Sequence, residues 1–297
     1  MNDGAEATIG RWRKAIDVEL SRVAAGRDDL PHRLREAIHY SLTGEGKRLR
    51  GLLLMASYDA LRGQGDASIL AAGVEIVHAY SLVHDDLPCM DNDNMRRGRP
   101  TTHRAFDVAT ATAAGVTMVP LAVDQTLRAA RALRLDAATT RRLVTALMQA
   151  SGATGMVGGQ LMDLDAEGRS LSVAELEAVH RAKTGALITA AFAMGGIAAG
   201  GGQSAVAALT AAGSALGLAF QIADDVLDAT ESSEALGKTA GHDAALSKST
   251  YASVLGVVPA RQRGDALVAD AMARLDAAGL KTPPLERLAR FVAARRS

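Results

Sequence analysis

The residues in this sequence best suited to a chemical role are aspartates, and they fall in two clusters. The first cluster follows an apolar stretch at 74–83 and contains Asp85, Asp86, Asp91 and Asp93. The second contains Asp224, Asp225 and Asp228 and follows the uncharged stretch 184–223. Closely spaced carboxylates repel one another unless cations neutralise them. Mg²⁺ binds a few carboxylates and completes its shell with water and phosphate oxygens, so the two clusters predict magnesium sites for a phosphorylated substrate. A solvated acidic loop is the alternative for the first cluster taken alone.

The spacing within each cluster predicts how its carboxylates are brought together. Asp224 and Asp228 are four residues apart and share one face of a helix. Asp85 and Asp91 are six residues apart and would not align on an ideal helix. Pro88 is expected to break or bulge the intervening turn so that these two residues approach each other.

Several basic residues have a placement that favours an anion. Lys47 and Arg50 follow the glycine-flanked turn 44–46 at a predicted helix start, where backbone amides also attract anions. Arg96 and Arg97 supply two guanidinium groups, and lysines stand at 183 and 238. No serine or threonine follows Lys47, so the glycine turn is not a Walker loop. Each basic residue by itself could equally be a solvated surface group.

Composition limits the class of protein. The chain of 297 residues carries 33 basic and 33 acidic residues, and this zero net charge argues against general nucleic-acid binding. One cysteine excludes an internal disulfide framework, and residues 1–20 lack a secretory apolar core, so the cytoplasm is the expected location. Hydrophobic residues make up 48% and aromatic residues 3%, which favours an all-α protein.

The pattern of breaks predicts a single large helical bundle of about ten or more helices, with one domain spanning 1–297. Glycine and proline breaks fall near 28–31, 44–46, 63–65, 98–100, 232–242 and 283–284, and none resembles an interdomain linker. Glycines divide the uncharged stretch 184–223 into two close-packing helices, so we expect core or subunit-interface helices and no transmembrane segment. Ser172 and Glu175 form a capping box that predicts a helix from about Val173. Leu285, Leu288 and Val292 indicate an amphipathic helix near the C-terminus.

These motifs, in this order, give the chain a family resemblance. It resembles the trans-isoprenyl diphosphate synthases, and among them the bacterial farnesyl diphosphate synthases most closely. The resemblance covers roughly residues 40–255 and rests on the segments 46–50, 78–88, 96–98, 158–160, 183–185, 221–228 and 236–238. It implies the isoprenoid synthase fold, with a central active-site cavity between the two aspartate clusters.

By resemblance, the reaction is the condensation of isopentenyl diphosphate with an allylic diphosphate, dimethylallyl or geranyl. Three Mg²⁺ ions would hold the allylic diphosphate, with Asp85, Asp86 and Asp91 on one side and Asp224, Asp225 and Asp228 on the other. The ions would neutralise the leaving diphosphate, and the resulting carbocation would be attacked by isopentenyl diphosphate. The released diphosphate would accept the final proton, so no protein nucleophile is required.

The resemblance also implies roles for the remaining polar residues. Isopentenyl diphosphate would be held by Lys47, Arg50, His78 and Arg97. The allylic diphosphate would be held by Arg96, Lys183 and Lys238. Thr184 and Gln221 would border the carbocation, and Gln160, Asp163 and Lys248 would complete the substrate-binding set. For His78 alone, a hydrogen-bonded core histidine is the alternative.

Product length is predicted from the helix that precedes the first cluster. Tyr80 stands five residues before Asp85, about 7.5 Å back along a helix. By resemblance to the family, an aromatic ring at this position stops elongation of the prenyl chain at fifteen carbons. Ser81 beside it leaves some room, so farnesyl diphosphate is the expected main product and geranylgeranyl diphosphate the alternative. Relatives usually continue with a glycine-aspartate pair where this chain has Gly115 and Val116, so Val116 is a third candidate chain-length residue. Pro120 is expected to kink or end that helix.

Other functions remain as alternatives. The His-Asp pairs at 84–85 and 242–243 would suit a metal-dependent phosphohydrolase, although that function leaves the second cluster unexplained. A terpene cyclase would not need Lys47, Arg50 and Arg97, and a non-catalytic partner subunit would usually have lost one cluster. The uncharged helices and the resemblance both indicate a homodimer.

Overall fold

A computed structural model describes residues 3–230 and 248–293, and within these ranges the chain is almost entirely helical. The helices are α1 (Asp3–Ala25), α2 (His32–Leu42), α3 (Leu49–Ala60), α4 (Ser68–Asp85), α5 (Thr102–Ala105), α6 (Val108–Ala132), α7 (Ala137–Ser151), α8 (Met156–Asp165), α9 (Val173–His180), α10 (Ala186–Ala198), α11 (Gln203–Thr230), α12 (Tyr251–Leu255), α13 (Val257–Ala277) and α14 (Pro283–Ala293). A π-helical turn, Arg181–Gly185, joins α9 to α10. The all-α prediction is therefore confirmed.

A short antiparallel ribbon was not predicted from the sequence. Strands β1 (Met95–Arg96) and β2 (Arg99–Pro100) pair with Arg96 opposite Arg99. Arg97 and Gly98 form the two-residue connection, with φ of 52° and 72°. Two positive φ angles in a two-residue hairpin are typical of a type I′ turn, which glycine tolerates and arginine rarely adopts.

The uncharged stretch forms two helices, as predicted. Helix α10 ends at Ala198, α11 begins at Gln203, and the two pack against each other. Within the described ranges, α11 is the one helix long and apolar enough to cross a membrane, and 56% of its apolar window is buried inside the protein. Gly217 allows α11 to approach the π turn, since a Cβ there would lie 2.9 Å from Gly185 Cα. The small residues therefore serve close helix packing, and α11 has the position of a core helix.

Pro120 does not end its helix, so that alternative of the prediction is wrong. Helix α6 continues through Pro120 to Ala132. Packing explains the continuity, because α6 runs along α4 in the most extensive helix contact of the described chain. Tertiary contact of this extent outweighs the hydrogen bond that proline removes.

The helix ends and the core agree with the sequence patterns. Ser172 Oγ and the Glu175 side chain form the predicted capping box at the start of α9. Leu285, Leu288 and Val292 of α14 are buried, as the amphipathic pattern predicts. The main hydrophobic cluster contains residues from Ile9 in α1 to Val292 in α14, and a smaller cluster surrounds Tyr251.

Candidate active site

A cavity of about 910 Å³ lies between the aspartate clusters. Its walls come from the loop before α3, from α3, α4, the ribbon, the π turn and α11. The predicted site residues that line it are Lys47, Arg50, His78, Ser81, Asp85, Arg96, Arg97, Lys183, Thr184, Gln221 and Asp224. The fold thus brings together residues that are up to 177 positions apart in the sequence, 47 to 224.

The first aspartate cluster is folded back on the end of α4. Asp85 is the last residue of α4, and the Asp91 backbone N–H donates to the Asp85 carbonyl at 2.8 Å. The chain after Asp85 therefore turns as the spacing around Pro88 predicts. Burial raises the pKa of Asp85 to about 6; Lys183 opposes the rise, and neighbouring Asp91 adds to it. A bound cation stabilises the ionised form of a carboxylate in such surroundings.

Asp86 differs from Asp85 in its environment. It is buried and does not line the large cavity, and the Arg96 Nε donates to its Oδ1 at 2.6 Å. Arg96 also lies 3.4 Å from the Asp93 carboxylate. The Asp86 to Arg96 ion pair fixes the ribbon against α4, so Arg96 enters the cavity with a defined orientation.

A four-membered charge network links the first cluster to α8. Lys183 Nζ donates to Asp163 Oδ2 at 2.7 Å, and Lys248 Nζ lies 3.2 Å from the same oxygen and 3.5 Å from Asp91 Oδ1. Although burial opposes it, the two lysines lower the pKa of Asp163. Asp163, predicted as part of the substrate-binding set, therefore orients two cationic side chains beside Asp91.

The second cluster is divided between the cavity and the interior. Asp224 lines the cavity, Asp228 is buried one turn later on the same helix, and Asp225 is 2% exposed. Asp225 Oδ1 accepts a hydrogen bond from Gln221 Nε2 at 3.0 Å, and its Oδ2 accepts one from the Tyr251 backbone N–H at 2.8 Å. The environment of Asp225 thus differs from that of a cavity-facing ligand.

Gln221 connects this helix to the π turn. Thr184 Oγ1 donates to Gln221 Oε1 at 3.0 Å, so both predicted cation-bordering residues meet at the cavity wall. Gln160 on α8 has its Nε2 4.0 Å from the Met90 sulfur, and its buried Oε1 has no hydrogen-bond partner among the described residues.

The opposite wall is basic. Arg50 Nη1 lies 3.2 Å from His78 Nε2, and desolvation together with Arg50 holds the pKa of His78 well below its usual value. His78 is therefore neutral at pH 7, and its Nε2 accepts because a guanidinium can only donate. Burial lowers the pKa of Arg50 to about 10, so this side chain stays charged. Arg97 donates from Nη1 to the Glu45 carbonyl at 2.7 Å. Lys47 lies 5.3 Å from the centre of the Phe291 ring.

The donor set fits magnesium. Among residues 3–230 and 248–293, no three His, Cys, Asp or Glu side chains converge closely enough to hold a metal ion by themselves. Carboxylates from two helices instead line one cavity, Asp85 on α4 and Asp224 on α11. Such a dispersed oxygen set suits Mg²⁺, which keeps water ligands and is completed by substrate phosphates.

The three candidate chain-length residues are separated in the structure. Ser81 lines the cavity and donates to the His78 carbonyl. Tyr80 is half-buried, does not line the large cavity, and meets the His84 ring edge-on with 5.0 Å between centres. Gly115 makes room for His84, because a Cβ there would lie 2.1 Å from its Nε2. Val116 is 60% exposed on α6. The roles of these residues in chain length stay predictions.

Sequence reasoning missed several polar residues at the site, and Lys238 lies outside the described residues. Glu75 lines the cavity, is 4% exposed, and its Oε1 accepts from the Gly51 N–H at 2.7 Å beside Arg50. Its signal was a carboxylate on the apolar helix three residues before His78. His180 and Tyr251, which surround Asp225, carried no comparable spacing signal.

Comparison with known proteins agrees with this geometry. The family described as Polyprenyl synthetase matches residues 31–277. The chain is 37% identical to the farnesyl diphosphate synthase of Bacillus subtilis over 284 residues, with 95% of each protein covered. It is 38% identical to the chloroplastic geranylgeranyl pyrophosphate synthase 7 of Arabidopsis thaliana, with 95% of this chain and 82% of the relative covered.

Solved structures share the whole fold. The FPP/GFPP synthase of Zymomonas mobilis superposes with a TM-score of 0.87 at 33% identity and covers 99% of this chain and 100% of its own. The geranyltransferase of Helicobacter pylori, solved with magnesium and isoprenyl diphosphate, gives a TM-score of 0.81 at 30% identity, with 96% of each chain covered.

Proposed function

Because the chain belongs to the polyprenyl synthetase family and is a short-chain prenyl diphosphate synthase, we propose that it makes mainly farnesyl diphosphate. The substrates are isopentenyl diphosphate and an allylic diphosphate, dimethylallyl or geranyl, and the reaction requires Mg²⁺. The observation that carries the proposal is a single cavity lined by Asp85 and Asp224 and by the basic group Arg50, His78 and Arg97. Geranylgeranyl diphosphate is the alternative product, since relatives of both kinds are about equally similar.

The allylic diphosphate binds between the aspartate clusters. We assign three Mg²⁺ ions to Asp85, Asp86 and Asp91 on one side and to Asp224 and Asp228 on the other; when bound, they act as Lewis acids on the leaving diphosphate. Asp225 of the predicted set is left out, because both of its carboxylate oxygens accept hydrogen bonds from protein groups. Arg96, Lys183 and Lys238 add positive charge to the same leaving group, and Asp163 orients both Lys183 and Lys248. Thr184 and Gln221 present oxygens to the cationic carbon.

Isopentenyl diphosphate binds at the basic wall. Lys47, Arg50 and Arg97 neutralise its diphosphate, and neutral His78 offers its Nδ1–H as a further donor. In the proposed complex, the double bond of isopentenyl diphosphate points toward the allylic carbon between the clusters. The protein's contribution to the rate is charge neutralisation and orientation of two substrates.

The assay that tests the function uses purified protein, Mg²⁺, isopentenyl diphosphate and either dimethylallyl or geranyl diphosphate. We expect metal-dependent condensation with a dominant C15 alcohol after dephosphorylation and chromatography. A dominant C20 alcohol would keep the synthase and overturn the product assignment. Absence of condensation with every allylic starter would overturn the function and favour the phosphohydrolase or the partner subunit. His242 and Asp243, on which the phosphohydrolase depends, lie outside the described residues.

A second prediction concerns Tyr80. Tyr80→Ala removes the phenol that packs on His84 between α4 and α6, and the space it leaves is expected to admit a longer chain. We expect the main product to shift from C15 toward C20, as measured by product chromatography. Val258→Ala, at an exposed position on α13, is the control and should leave the distribution unchanged. An unchanged distribution in Tyr80→Ala would assign chain-length control to the α6 segment around Val116.

We also propose a cytoplasmic homodimer built as one domain over 1–297. The exposed side of α6 is the surface proposed to contact the second subunit. Residues 108–123 carry no charge, and Val108 and Val116 are 47% and 60% exposed. Sedimentation of the purified chain measures this state directly, and a monomer at micromolar concentration would refute it. The single cysteine supports a reducing compartment.

A further inference from the structure

The second aspartate of the second cluster, Asp225, is held by three different parts of the chain. Its Oδ1 accepts from Gln221 Nε2, one turn earlier on α11. Its Oδ2 accepts from the Tyr251 backbone N–H at 2.8 Å and lies 3.2 Å from His180 Nε2. Both carboxylate oxygens therefore bind protein donors, and the residue does not line the cavity.

The partners of Asp225 are themselves buried. His180 is 8% exposed, Tyr251 is fully buried, and their rings stack with 5.6 Å between centres and 28° between planes. Each belongs to a segment that carries a substrate-binding residue. His180 is the last residue of α9, immediately before the π turn with Lys183 and Thr184, and Tyr251 follows Lys248 by three residues.

The hydrogen bonds continue from Asp225 to the cavity. Gln221, which donates to Asp225, accepts from Thr184 on the π turn. Lys183 and Lys248, on the two segments that Asp225 holds, converge on Asp163 Oδ2 at 2.7 and 3.2 Å. The positions of Lys183, Lys248 and Thr184 therefore depend on the buried carboxylate of Asp225.

We propose that Asp225, His180 and Tyr251 form a positioning network that fixes the π turn and the Lys248 segment against α11, and that Asp225 is not a metal ligand. The inference rests on the proposed function for the identity of the bound diphosphate. Asp224 and Asp228 remain the metal ligands of this helix. Buried, fully partnered carboxylates act through the groups they orient, and small displacements of those groups are costly.

The test compares variants by calorimetric titration of Mg²⁺ and inorganic diphosphate into the protein. We expect Asp225→Asn and His180→Leu each to weaken diphosphate binding about 10-fold, the lower end of the range for loss of an orienting partner, without changing the number of Mg²⁺ bound. The double variant should be no weaker than either single variant, since both break one network. His180→Gln, which retains a donor near the Nε2 position, should restore most of the affinity. Asp224→Asn, by contrast, should lower the Mg²⁺ stoichiometry or affinity.

Kinetics provides the second measurement. In Asp225→Asn and His180→Leu the KM for the allylic diphosphate should rise about 10-fold, while the KM for isopentenyl diphosphate and the half-saturating Mg²⁺ concentration stay unchanged. The proposal is overturned if Asp225→Asn alters Mg²⁺ binding as Asp224→Asn does, or if His180→Leu is silent. It is also overturned if His180→Gln behaves like His180→Leu.

The two measurements separate this inference from the proposed function. Calorimetry does not require condensation, so a wild-type protein that binds Mg²⁺ and diphosphate but forms no product would contradict the function and still test the network. Thermal unfolding of each variant identifies those that do not fold. His180→Gln keeps the inference testable if His180→Leu is unstable.

Discussion

Asp224→Asn is expected to lower kcat by about 10²- to 10³-fold, the loss typical when one group that stabilises transition-state charge is removed. Asp224 on α11 lines the same cavity as Asp85 and is assigned to the ions that neutralise the leaving diphosphate. Asparagine keeps the shape and one oxygen but loses the negative charge, so the half-saturating Mg²⁺ concentration should rise. Steady-state kinetics over a range of Mg²⁺ concentrations measures both effects.

A matched substitution separates this effect from a general loss of charge. Asp270→Asn removes a carboxylate on the surface of α13, where it pairs with Arg274 at 2.7 Å, and should leave kcat unchanged. The KM for isopentenyl diphosphate should also stay constant in Asp224→Asn, because Lys47, Arg50 and Arg97 are unaltered. A kcat within a factor of two of wild type would remove Asp224 from the metal site.

Gly159→Ala is expected to destabilise the protein and to slow the reaction. A Cβ at this position would lie 2.2 Å from the Lys183 backbone N and 2.6 Å from the Ala182 carbonyl carbon. These are backbone atoms and cannot move aside alone, so α8 and the π turn must separate. Overpacking of this kind costs about 1–3 kcal/mol of unfolding free energy. Displacement of Lys183 should also lower kcat by about 10²-fold.

Denaturant unfolding and steady-state kinetics measure the two effects of Gly159→Ala. Gly10→Ala in α1 is the control, because no heavy atom lies within 4 Å of the added Cβ. That control should be neutral or more stable by about 0.4–1 kcal/mol, since alanine restricts the unfolded chain. Wild-type stability and kcat in Gly159→Ala would show that α8 and the π turn are not in obligatory contact.

Sequence reasoning was most informative where the residue type and the spacing between residues both indicate the same structure or function. The aspartates at the end of the apolar helix α4 and those that follow the uncharged stretch on α11 were predicted as cation sites, because clustered carboxylates after buried segments need cations. The capping box at Ser172 predicted the start of α9 because both of its hydrogen bonds are local. Local interactions are the ones that a linear pattern contains.

The residues that sequence reasoning missed depend on tertiary contacts. Glu75 accepts from the Gly51 N–H, 24 residues away, and Tyr251 donates to Asp225, 26 residues away. Pro120 predicted a possible helix end, yet packing of α6 on α4 carries the helix through it. The turn at Arg97 was not predicted from the sequence, because arginine rarely adopts a positive φ and its presence does not indicate one.

The π turn at Arg181–Gly185 has a consequence for how this chain aligns with others. A π turn closes its hydrogen bonds over five residues instead of four, so it holds one residue more than the α-helix that would replace it. A relative with an uninterrupted α-helix from α9 to α10 would therefore match this chain only with a one-residue gap between 180 and 186. Deleting Ala182 would test the same point within this chain, because an α-helical turn could then replace the π turn and leave the side chains of α9 and α10 in the same relative orientation.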